Sequence, residues 1–393
     1  MATAHDTLSV VVGAGGTGGH IYPGLAVADA LRRAVPDAVI SFVGTERGLE
    51  TRLIPEAGYR LHTVDMIPFD PMLGARRYLL PADLVRSAGQ ARKVIEKQGA
   101  QVVIGMGGYP SAPAVLGARL AGRPALVHES NAVPGRANRF ATALTPHVAL
   151  AFDRTREHLS ARAATRARTV GMPLVSAVAG LDRTARRALC ATARHAFGVP
   201  ETARMVLFNG GSLGATRLTR AALGLARRWR DRPDVHLVIK TGPAALEDVR
   251  AALAADDCER VATAVGYLDR MDLAYAAADL MVCRAGSSTV AELATLGMPA
   301  VLVPYPYAPH DHQTHNARVL ADTGAGLLLP DDETDGDRLA GLIGPLLADP
   351  DRLERMGDAA RPGTHATAAD LMAAWALRLA GRTPVNPLPE QPC

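Results

Sequence analysis

A strand, a glycine-rich turn and a helix follow one another twice in this sequence, and this repeated unit restricts the fold more than any other feature. The first copy is VVVGAGGTGGHIYPGLAVADAL, from Val10 to Leu31, and the second begins RMVLFNGGSLGA, from Arg204 to Ala215. An apolar strand that turns through glycines into an amphipathic helix is the opening unit of a doubly wound parallel sheet. Two copies therefore predict two such domains.

The rest of the chain continues this alternation of short apolar runs with longer runs of helical spacing. Such alternation predicts parallel strands covered by helices on both faces, that is, an α/β protein with two Rossmann-like domains. Because ligands bind outside the carboxyl ends of parallel strands, we expect both sets of strand ends to face a cleft. The candidate strands are LSVVVG, AVISFVG, YRLHTVDM, QVVIGMG, PALVHE and HVALAF, then RMVLFNGG, VHLVIKTG, RVATAVGY, LMVCRAG, PAVLVPYP and GAGLLLP.

The domain boundary is predicted in the segment TVGMPL, residues 169–174. This gives an N-terminal domain over 1–172 and a C-terminal domain over 173–382, whose last helix we expect to pack back on the N-terminal domain. The tail, 383–393, reads RTPVNPLPEQPC from Arg382 onward and is rich in proline, so we expect it to be disordered.

Composition excludes several classes of protein. Of the 393 residues, 48% are hydrophobic and 21% charged, which is ordinary for a globular protein, and no apolar run approaches the ~18 residues of a membrane-spanning helix. The four cysteines are scattered without a C-x-x-C, which argues against a disulfide framework or a zinc site and favours a cytoplasmic location. A net charge of +4 is compatible with an anionic substrate or membrane surface, whereas the few aromatic residues, 4%, argue against nucleic acid.

The first glycine turn matches the dinucleotide fingerprint G-x-G-x-x-G at Gly13, Gly15 and Gly18. That fingerprint also needs an acidic residue at the end of the second strand, about 20 residues further on, to hold a ribose. Here the second strand ends in Gly44 and Thr45, and the next acidic residue lies already in the turn. The sequence therefore disfavours a dinucleotide site, although both glycine turns could still hold phosphate at a helix N-terminus.

Six segments together closely resemble the MurG family, from about Ser9 to about Arg382. Members of this family are inverting glycosyltransferases of the GT-B fold, which transfer N-acetylglucosamine (GlcNAc) from UDP-GlcNAc to undecaprenyl-pyrophosphoryl-MurNAc-pentapeptide, lipid I. The resemblance implies no metal and no cofactor. The segments are GAGGTGGHIYPGLAVADAL (13–31), GMGGYPSAP (105–113), VHESNAVPGRANR (127–139), NGGSLGA (209–215), CRAGSSTVAELATLGMP (283–299) and PYPYAPHDHQTHNA (304–317).

For the UDP-GlcNAc donor, the resemblance implies a site in the second domain. Ser212 would contact a donor phosphate, Glu292 would accept hydrogen bonds from the ribose hydroxyls, and the backbone of Leu268 would contact the uracil. An ionised carboxylate is a strong acceptor for vicinal hydroxyls, which suits Glu292 to the ribose. The full donor set consists of Gly211, Ser212, Gly214, Leu268, Arg284, Glu292, Gln313 and Asn316.

For the acceptor, the resemblance implies a site in the first domain. The first glycine turn would hold the acceptor pyrophosphate, with His128, Asn131 and Asn138 beside it. His20, at the start of a helix, has an ordinary pKa near 6.5 and is kept neutral by the helix dipole, so it could act as a base or only position the acceptor. The predicted catalytic residues are His20, Tyr109 and Glu129, and the predicted phosphate-binding turn comprises Gly15, Gly16, Thr17, Gly18 and Gly19.

A lipid-linked acceptor would require contact with a membrane. The segment FDPMLGARRYLLPADLVRSAGQARKVI places Arg76 and Arg77 beside Tyr78, Leu79 and Leu80, a combination that suits an anionic membrane surface. An ordinary amphipathic surface helix is the alternative. We expect a protein at the inner face of the cell membrane, with UDP-GlcNAc and a lipid-linked sugar as partners and no nucleic acid. The histidines of HDHQTH lack an H-E-x-x-H pattern, so we expect no metal there.

The sequence departs from the family pattern at two places. The family segment Gly-Asn-Pro-Val-Arg is GMPLV here, so Met172 replaces the Asn and Val175 replaces the Arg. The second glycine turn continues with Leu218 and Thr219, without the family's Asn. These departures leave open a related enzyme that glycosylates another acceptor in specialised metabolism. A UDP-GlcNAc 2-epimerase would need paired carboxylates for proton exchange, and the motifs contain no such pair. A non-catalytic binding module is the third alternative, and the retained residues argue against it: His20, Tyr109, Glu129, Glu292 and Gln313.

Overall fold

The protein was analysed as a computed structural model, which describes residues 7–66, 80–211, 215–360 and 363–384. The chain forms two compact units, the first comprising the described residues up to Val175 and from Thr364 onward, the second Ser176–Gly363. The predicted boundary, after residue 172, lies in the same connecting segment. Several predictions fall outside the described residues, namely those for Arg76, Arg77, Tyr78, Leu79, Ser212, Gly214 and residues 385–393 of the tail.

The first unit is built on a parallel sheet that, within the described residues, has seven strands in the order β3-β2-β1-β4-β5-β6-β7. The strands are β1 Ser9–Gly13, β2 Val39–Gly44, β3 Arg60–Thr63, β4 Val102–Gly105, β5 Ala125–Glu129, β6 His147–Leu150 and β7 Ala167–Thr169. The helices are α1 Gly18–Ala34, α2 Glu50–Glu56, α3 Leu80–Lys97, α4 Ser111–Leu120, α5 Arg136–Leu144 and the short α6 Ala161–Ala164.

The second unit repeats this plan with six described parallel strands in the order β10-β9-β8-β11-β12-β13. The strands are β8 Arg204–Asn209, β9 Val235–Lys240, β10 Ala262–Val265, β11 Leu280–Cys283, β12 Ala300–Leu302 and β13 Gly326–Leu328. The helices are α7 Ser176–Ala179, α8 Arg183–Ala196, α9 Thr216–Arg228, α10 Leu246–Ala255, α11 Met271–Ala277, α12 Ser287–Leu296, α13 His312–Ala321, α14 Gly336–Leu347 and α15 Pro350–Ala359.

Each sheet has one point at which the strand order reverses. In the first unit it lies between β1 and β4, and in the second between β8 and β11. Ligands of doubly wound sheets bind outside the carboxyl ends of the strands at such a point. Both glycine turns follow the strand beside the reversal, so the two-domain α/β architecture predicted from the sequence is confirmed and each turn lies at the expected ligand edge of its own sheet.

The first unit is completed by the last described helix, α16 Ala368–Leu379. Met372 and Trp375 of this helix pack in the same buried cluster as Val10 of β1 and Leu31 of α1. The helix therefore fills the face of the sheet that α1 also covers. No helix among the described residues combines the length and apolarity needed to cross a bilayer.

One strand, β7, was not among the sequence candidates. It consists of three residues, Ala167–Thr169, pairs with β6 alone and has one buried side chain, that of Ala167. A strand this short at the edge of a sheet carries no apolar run, so the sequence pattern gives no signal for it.

Candidate functional site

The first glycine turn joins β1 to α1 and is shaped by a buried carboxylate that the sequence did not single out. Gly16 has φ +87, a conformation that favours glycine, and its N–H donates to Glu50 Oε2 over 2.9 Å. Gly15 lies against the same carboxylate, since a Cβ there would come within 2.6 Å of Glu50 Oε1. Glu50 is itself fully buried. The Gly16 N–H therefore binds this carboxylate in the structure, whereas α1 begins beyond it, with Gly18 and Gly19 in its first turn.

A chain of hydroxyl groups connects Glu50 to the predicted catalytic Tyr109. Thr45 Oγ1 donates to Glu50 Oε1 over 2.8 Å and lies 2.9 Å from the hydroxyl oxygen of Tyr109. Because Thr45 has one hydroxyl proton and gives it to the carboxylate, the Tyr109 hydroxyl donates to Thr45. The phenol oxygen of Tyr109 is thereby oriented as an acceptor toward any further group.

His20 lies in the first turn of α1, where it contacts the loop after β4. Its Nδ1 is 3.4 Å from Thr17 Oγ1, the side chain of the residue that caps the helix. A Cβ on Gly107 would lie 2.8 Å from His20 Cδ2 and 3.2 Å from Asn138 Nδ2. The glycine therefore allows His20, Asn138 and the β4 loop to approach one another closely, as the sequence prediction of one common site requires.

Glu129 ends β5 and holds together the loop that leads to α5. Its carboxylate accepts hydrogen bonds from Asn131 N over 2.8 Å, Asn138 Nδ2 over 2.9 Å and Gly135 N over 3.3 Å. Burial raises the pKa of Glu129, and these donors oppose that rise. The contacts favour a positioning role, in which Glu129 holds Asn131 and Asn138, and Asn138 lies with His20 against Gly107.

His128, the neighbour of Glu129, is fully buried. Its Nε2 lies 2.9 Å from the carbonyl oxygen of Gly171, and burial lowers its pKa to about 4. His365 lies close by and accepts a hydrogen bond at Nδ1 from the N–H of Met172 over 2.8 Å. Both histidines are neutral near pH 7, because burial also lowers the pKa of His365 to about 4. These contacts favour a structural role for His128, at the segment that leads out of the first unit.

In the second unit, the glycine turn after β8 contains a glycine, Gly211, whose φ is close to that of Gly16 in the first unit. Gly211 has φ +89, and its N–H donates to Asn209 Oδ1 over 3.0 Å. Lys240, which the sequence reading did not select, ends the adjacent strand β9 and brings its ammonium within 3.3 Å of the Gly211 carbonyl oxygen and 3.5 Å of Asn209 Oδ1. The second turn thus has a cation beside it, Lys240, whereas the first turn has a carboxylate, that of Glu50.

Glu292, the predicted ribose-binding carboxylate, lies on α12 at the same end of the sheet. The hydroxyl of Tyr275 donates to its Oε2 over 2.5 Å. Burial raises the pKa of Glu292 to about 7, opposed by the hydrogen bond from Tyr275 and by the charge of Lys240. Tyr275 was not predicted, because it lies on α11 outside every glycine-rich segment.

Arg284 follows β11 and is held by Asp331, another residue missed by the sequence reading. The two side chains form an ion pair of 2.6 Å and are 11% and 13% exposed, and Arg217 of α9 lies 3.3 Å from the same carboxylate. Arg284 also donates to the carbonyl oxygen of Pro304 over 3.1 Å. Asp331 thus connects the helix after the glycine turn with the loops after β11 and β12.

Gln313 and Asn316, both on α13, bind the same loops. Gln313 Oε1 accepts hydrogen bonds from Ala285 N over 3.2 Å and from Tyr305 N over 2.9 Å. The Nε2 amino group of the same side chain can therefore act as a donor toward a ligand. Asn316 Nδ2 donates to the carbonyl oxygen of Ala285 over 3.2 Å.

The turn before α13 is strained. His310 and Asp311 have φ of +55 and +51, and each such non-glycine residue costs about 1–2 kcal/mol. Strain of this kind is retained where the backbone must place a functional side chain, and here the turn sets the start of the helix that carries Gln313.

Leu268 lies in the loop after β10 and is 8% exposed. Its neighbour Tyr267 is 48% exposed, with the Lys240 ammonium 5.6 Å from its ring centroid. Within each unit, the structure thus gathers the described predicted residues at one end of the sheet. Among the described residues no group of three histidine, cysteine or acidic side chains is arranged to hold a metal ion.

Comparison with known proteins gives a consistent family. The model of the glycosyltransferase family 28 N-terminal domain matches residues 10–149, and that of the family 28 C-terminal domain matches residues 205–373. A Saccharopolyspora erythraea protein named UDP-N-acetylglucosamine--N-acetylmuramyl-(pentapeptide) pyrophosphoryl-undecaprenol N-acetylglucosamine transferase is 40% identical over 381 residues, which is 97% of this chain and 97% of that protein.

Among solved structures, MurG of Acinetobacter baumannii superposes with a TM-score of 0.72 at 28% identity, covering 94% of this chain and 99% of that one. A UDP-GlcNAc 2-epimerase from Neisseria meningitidis, bound to UDP-GlcNAc, gives a TM-score of 0.65 at 12% identity over 95% of this chain and 100% of its own, a likeness of fold alone. The resemblance found in the six motifs is therefore confirmed along nearly the whole sequence, and the chain belongs to glycosyltransferase family 28 and, within it, to the MurG family.

Proposed function

We propose that the protein transfers GlcNAc from UDP-GlcNAc to the 4-hydroxyl of MurNAc in lipid I, forming lipid II. The observation that carries this proposal is the full-length similarity to a relative of that named activity, at 40% identity over 97% of both chains. The site residues support it, since each unit presents a glycine turn, a titratable group and amide donors at the ligand edge of its sheet.

The second unit is proposed to bind the donor. The carboxylate of Glu292 accepts hydrogen bonds from the ribose hydroxyls while Tyr275 holds its second oxygen from behind. Arg284, fixed by Asp331, and the amide of Gln313 supply donors near the sugar and its phosphates. Ionic hydrogen bonds of this kind contribute about 1.5–3 kcal/mol each, which suits them to hold a diphosphate leaving group.

The first unit is proposed to bind the acceptor and start the reaction. The 4-hydroxyl oxygen of MurNAc attacks the anomeric carbon of GlcNAc, the bond to the diphosphate breaks, and UDP leaves with the bonding electrons. His20 takes the hydroxyl proton or positions the hydroxyl for attack, while the phenol oxygen of Tyr109 accepts a hydrogen bond from the acceptor. Glu129 and Asn138 hold the loop that carries Asn131, and this loop is proposed to contact the same acceptor.

We further propose that the protein works at the inner face of the cell membrane, because its acceptor is carried on a lipid. The basic and apolar residues around Arg76 and Arg77 support this location. Co-sedimentation with anionic vesicles, and not with neutral ones, is expected. Binding to neither would argue against this location without affecting the transfer reaction.

The transfer reaction is tested by incubating the purified protein with labelled UDP-GlcNAc and a lipid I analogue. We expect UDP release together with formation of the β-linked disaccharide. UDP release only with a different acceptor would show that the protein does not act on lipid I. It would support the alternative of a related enzyme in specialised metabolism. Binding of UDP-GlcNAc without release on any acceptor would instead support a non-catalytic module.

A further inference from the structure

Lys240 lies in an unusual environment for a lysine side chain, because it is partly removed from water. It ends β9 beside the second glycine turn and is half-buried, although lysine side chains are seldom removed from water without a partner. It is also the single lysine after residue 97, in a stretch of sequence where the basic residues are otherwise arginines.

Among the described residues, the ammonium of Lys240 contacts two weak neutral acceptors and the ring of Tyr267, whose centroid is 5.6 Å away. The carbonyl oxygen of Gly211 and Oδ1 of Asn209 lie at 3.3 and 3.5 Å, at or beyond the long end of the usual range for such bonds. No carboxylate of the described residues forms an ion pair with it. Burial lowers the pKa of this lysine, which marks an environment where a neutralising anion would stabilise the charge.

The surroundings of Lys240 indicate which anion would bind. Lys240, at the end of β9, is paired in register with Asn209 at the end of β8. On the other side of β8 lies β11, and Glu292 approaches from α12, the helix that follows β11. Lys240 and Glu292 interact electrostatically across this end. A nucleoside diphosphate has the complementary polarity, with vicinal hydroxyls that donate to a carboxylate and phosphates that accept from a cation.

We infer that Lys240 binds the diphosphate of the nucleotide donor, while Glu292 binds its ribose. The inference rests on the proposed function, since it assumes a nucleoside diphosphate donor in the second unit. A lysine ammonium is a compact point charge suited to phosphate, and its flexible stem can follow the leaving group as charge develops on it.

The test compares ligands that share the nucleoside and differ in phosphates. Lys240→Gln is expected to weaken UDP binding about tenfold, measured by calorimetry, and to leave uridine binding unchanged. Lys240→Arg keeps the charge and should retain most of the UDP affinity. Arg250→Gln removes an exposed cation of the same unit, paired with Glu247, and serves as the control for net charge, with no expected effect on either ligand.

Two outcomes would overturn the inference. Equal weakening of UDP and uridine in Lys240→Gln would mean that Lys240 acts through the loop or through Glu292, and unchanged UDP binding would mean that it contacts no phosphate. A wild-type protein that bound neither UDP nor uridine would instead overturn the proposed donor itself.

A measurement on the wild-type side chain covers the case in which the glutamine variant does not fold. Reductive methylation with ¹³C-formaldehyde labels the few amines of the chain, and the signal of Lys240 is assigned by its absence in Lys240→Arg. Addition of UDP should shift this signal, whereas uridine should leave it in place. A signal that responds equally to both ligands, or to neither, would contradict phosphate binding.

Discussion

Two glycine-rich turns, one in each unit, each contain a glycine with nearly the same left-handed φ, and these two glycines have opposite charges beside them. Gly16 and Gly211 have φ of +87 and +89, and each turn leads from the strand beside the reversal of its sheet toward a helix. Behind the first turn Glu50 accepts the Gly16 N–H, whereas beside the second Lys240 donates to the Gly211 carbonyl oxygen. The glycines thus allow the backbone conformation of each turn. The charge beside it is set by residues distant in sequence, Glu50 at the first turn and Lys240 at the second.

This difference bears on where phosphate binds. A carboxylate repels a second anion, and a half-buried ammonium attracts one, because both interactions are weakly screened away from bulk water. Under the proposed function, the donor diphosphate is therefore expected beside Gly211 and Lys240 rather than beside Gly16. At the first turn, any acceptor pyrophosphate would depend on the N–H groups at the start of α1, beyond Gly16.

The largest effect is expected for His20→Ala, which removes the titratable group of the first turn. Turnover should fall about 10²- to 10⁴-fold, as is usual for loss of a general base, with UDP affinity unchanged because the proposed donor residues lie in the second unit. Steady-state rates and calorimetry measure the two quantities. His195→Ala, an exposed histidine at the end of α8, is the matched control. Full turnover by His20→Ala would exclude the catalytic role.

A change of ten- to a hundredfold is expected at the second turn for Glu292→Gln, because a charged hydrogen bond to ribose contributes about 1.5–3 kcal/mol. In the wild type, uridine affinity should rise as the pH increases through about 7, since burial raises the pKa of Glu292 to that value and only the ionised form accepts from both hydroxyls. Calorimetry from pH 6 to 8 measures this. The variant should show no such slope, and a slope that persists would assign the titration to another group.

An effect of about 1–3 kcal/mol is expected for Glu50→Gln, because the amide replaces one of the two acceptor oxygens by a donor, which then faces the N–H of either Gly16 or Thr45. Hydrogen exchange of the peptide covering the first turn should become faster, while peptides of the second turn keep their rates. Glu56→Gln, exposed on the same helix, controls for the loss of charge. Unchanged exchange in Glu50→Gln would show that the carboxylate does not hold the turn.

The smallest effects come from alanine at the two matching glycines. Gly16→Ala and Gly211→Ala should each lose about 1–2 kcal/mol, since both require a left-handed backbone. The loss should be greater at Gly16, where a Cβ would lie 3.3 Å from the Tyr109 ring, than at Gly211, where the described residues leave open space. Denaturant midpoints compare the two variants, and equal losses would mean that the Tyr109 ring moves aside without cost.

Much of the fold could be predicted from the sequence because its signals are local. Each apolar strand and the helix after it can be recognised within a short window, and the glycine turns between them mark the ligand edge. The recognised motifs likewise led to His20, Glu292 and Gln313, since each of these residues lies in a short segment that also contains characteristic glycines or prolines.

The residues that give the turns their charge could not be found in this way. Glu50 is 34 residues from Gly16, Lys240 is 29 residues from Gly211, and Asp331 is 47 residues from Arg284. Such partners are brought together by strand order, which a linear pattern does not contain. For Lys240 one signal was present, since a solitary lysine among arginines at a strand end stands out, but a charge at a strand end is not by itself a motif.

The packing of α16 has a consequence for the order in which the protein is made. The second unit is one continuous segment, Ser176–Gly363, whereas the first needs Met372 and Trp375 of α16 for its core and the ring of His365 for the N–H of Met172. Because α16 follows the second unit in the sequence, it is translated after the whole of that unit. The half of the molecule that is translated first therefore cannot complete its core until the last helix has been made, and until then one apolar face of its sheet stays uncovered and prone to aggregation.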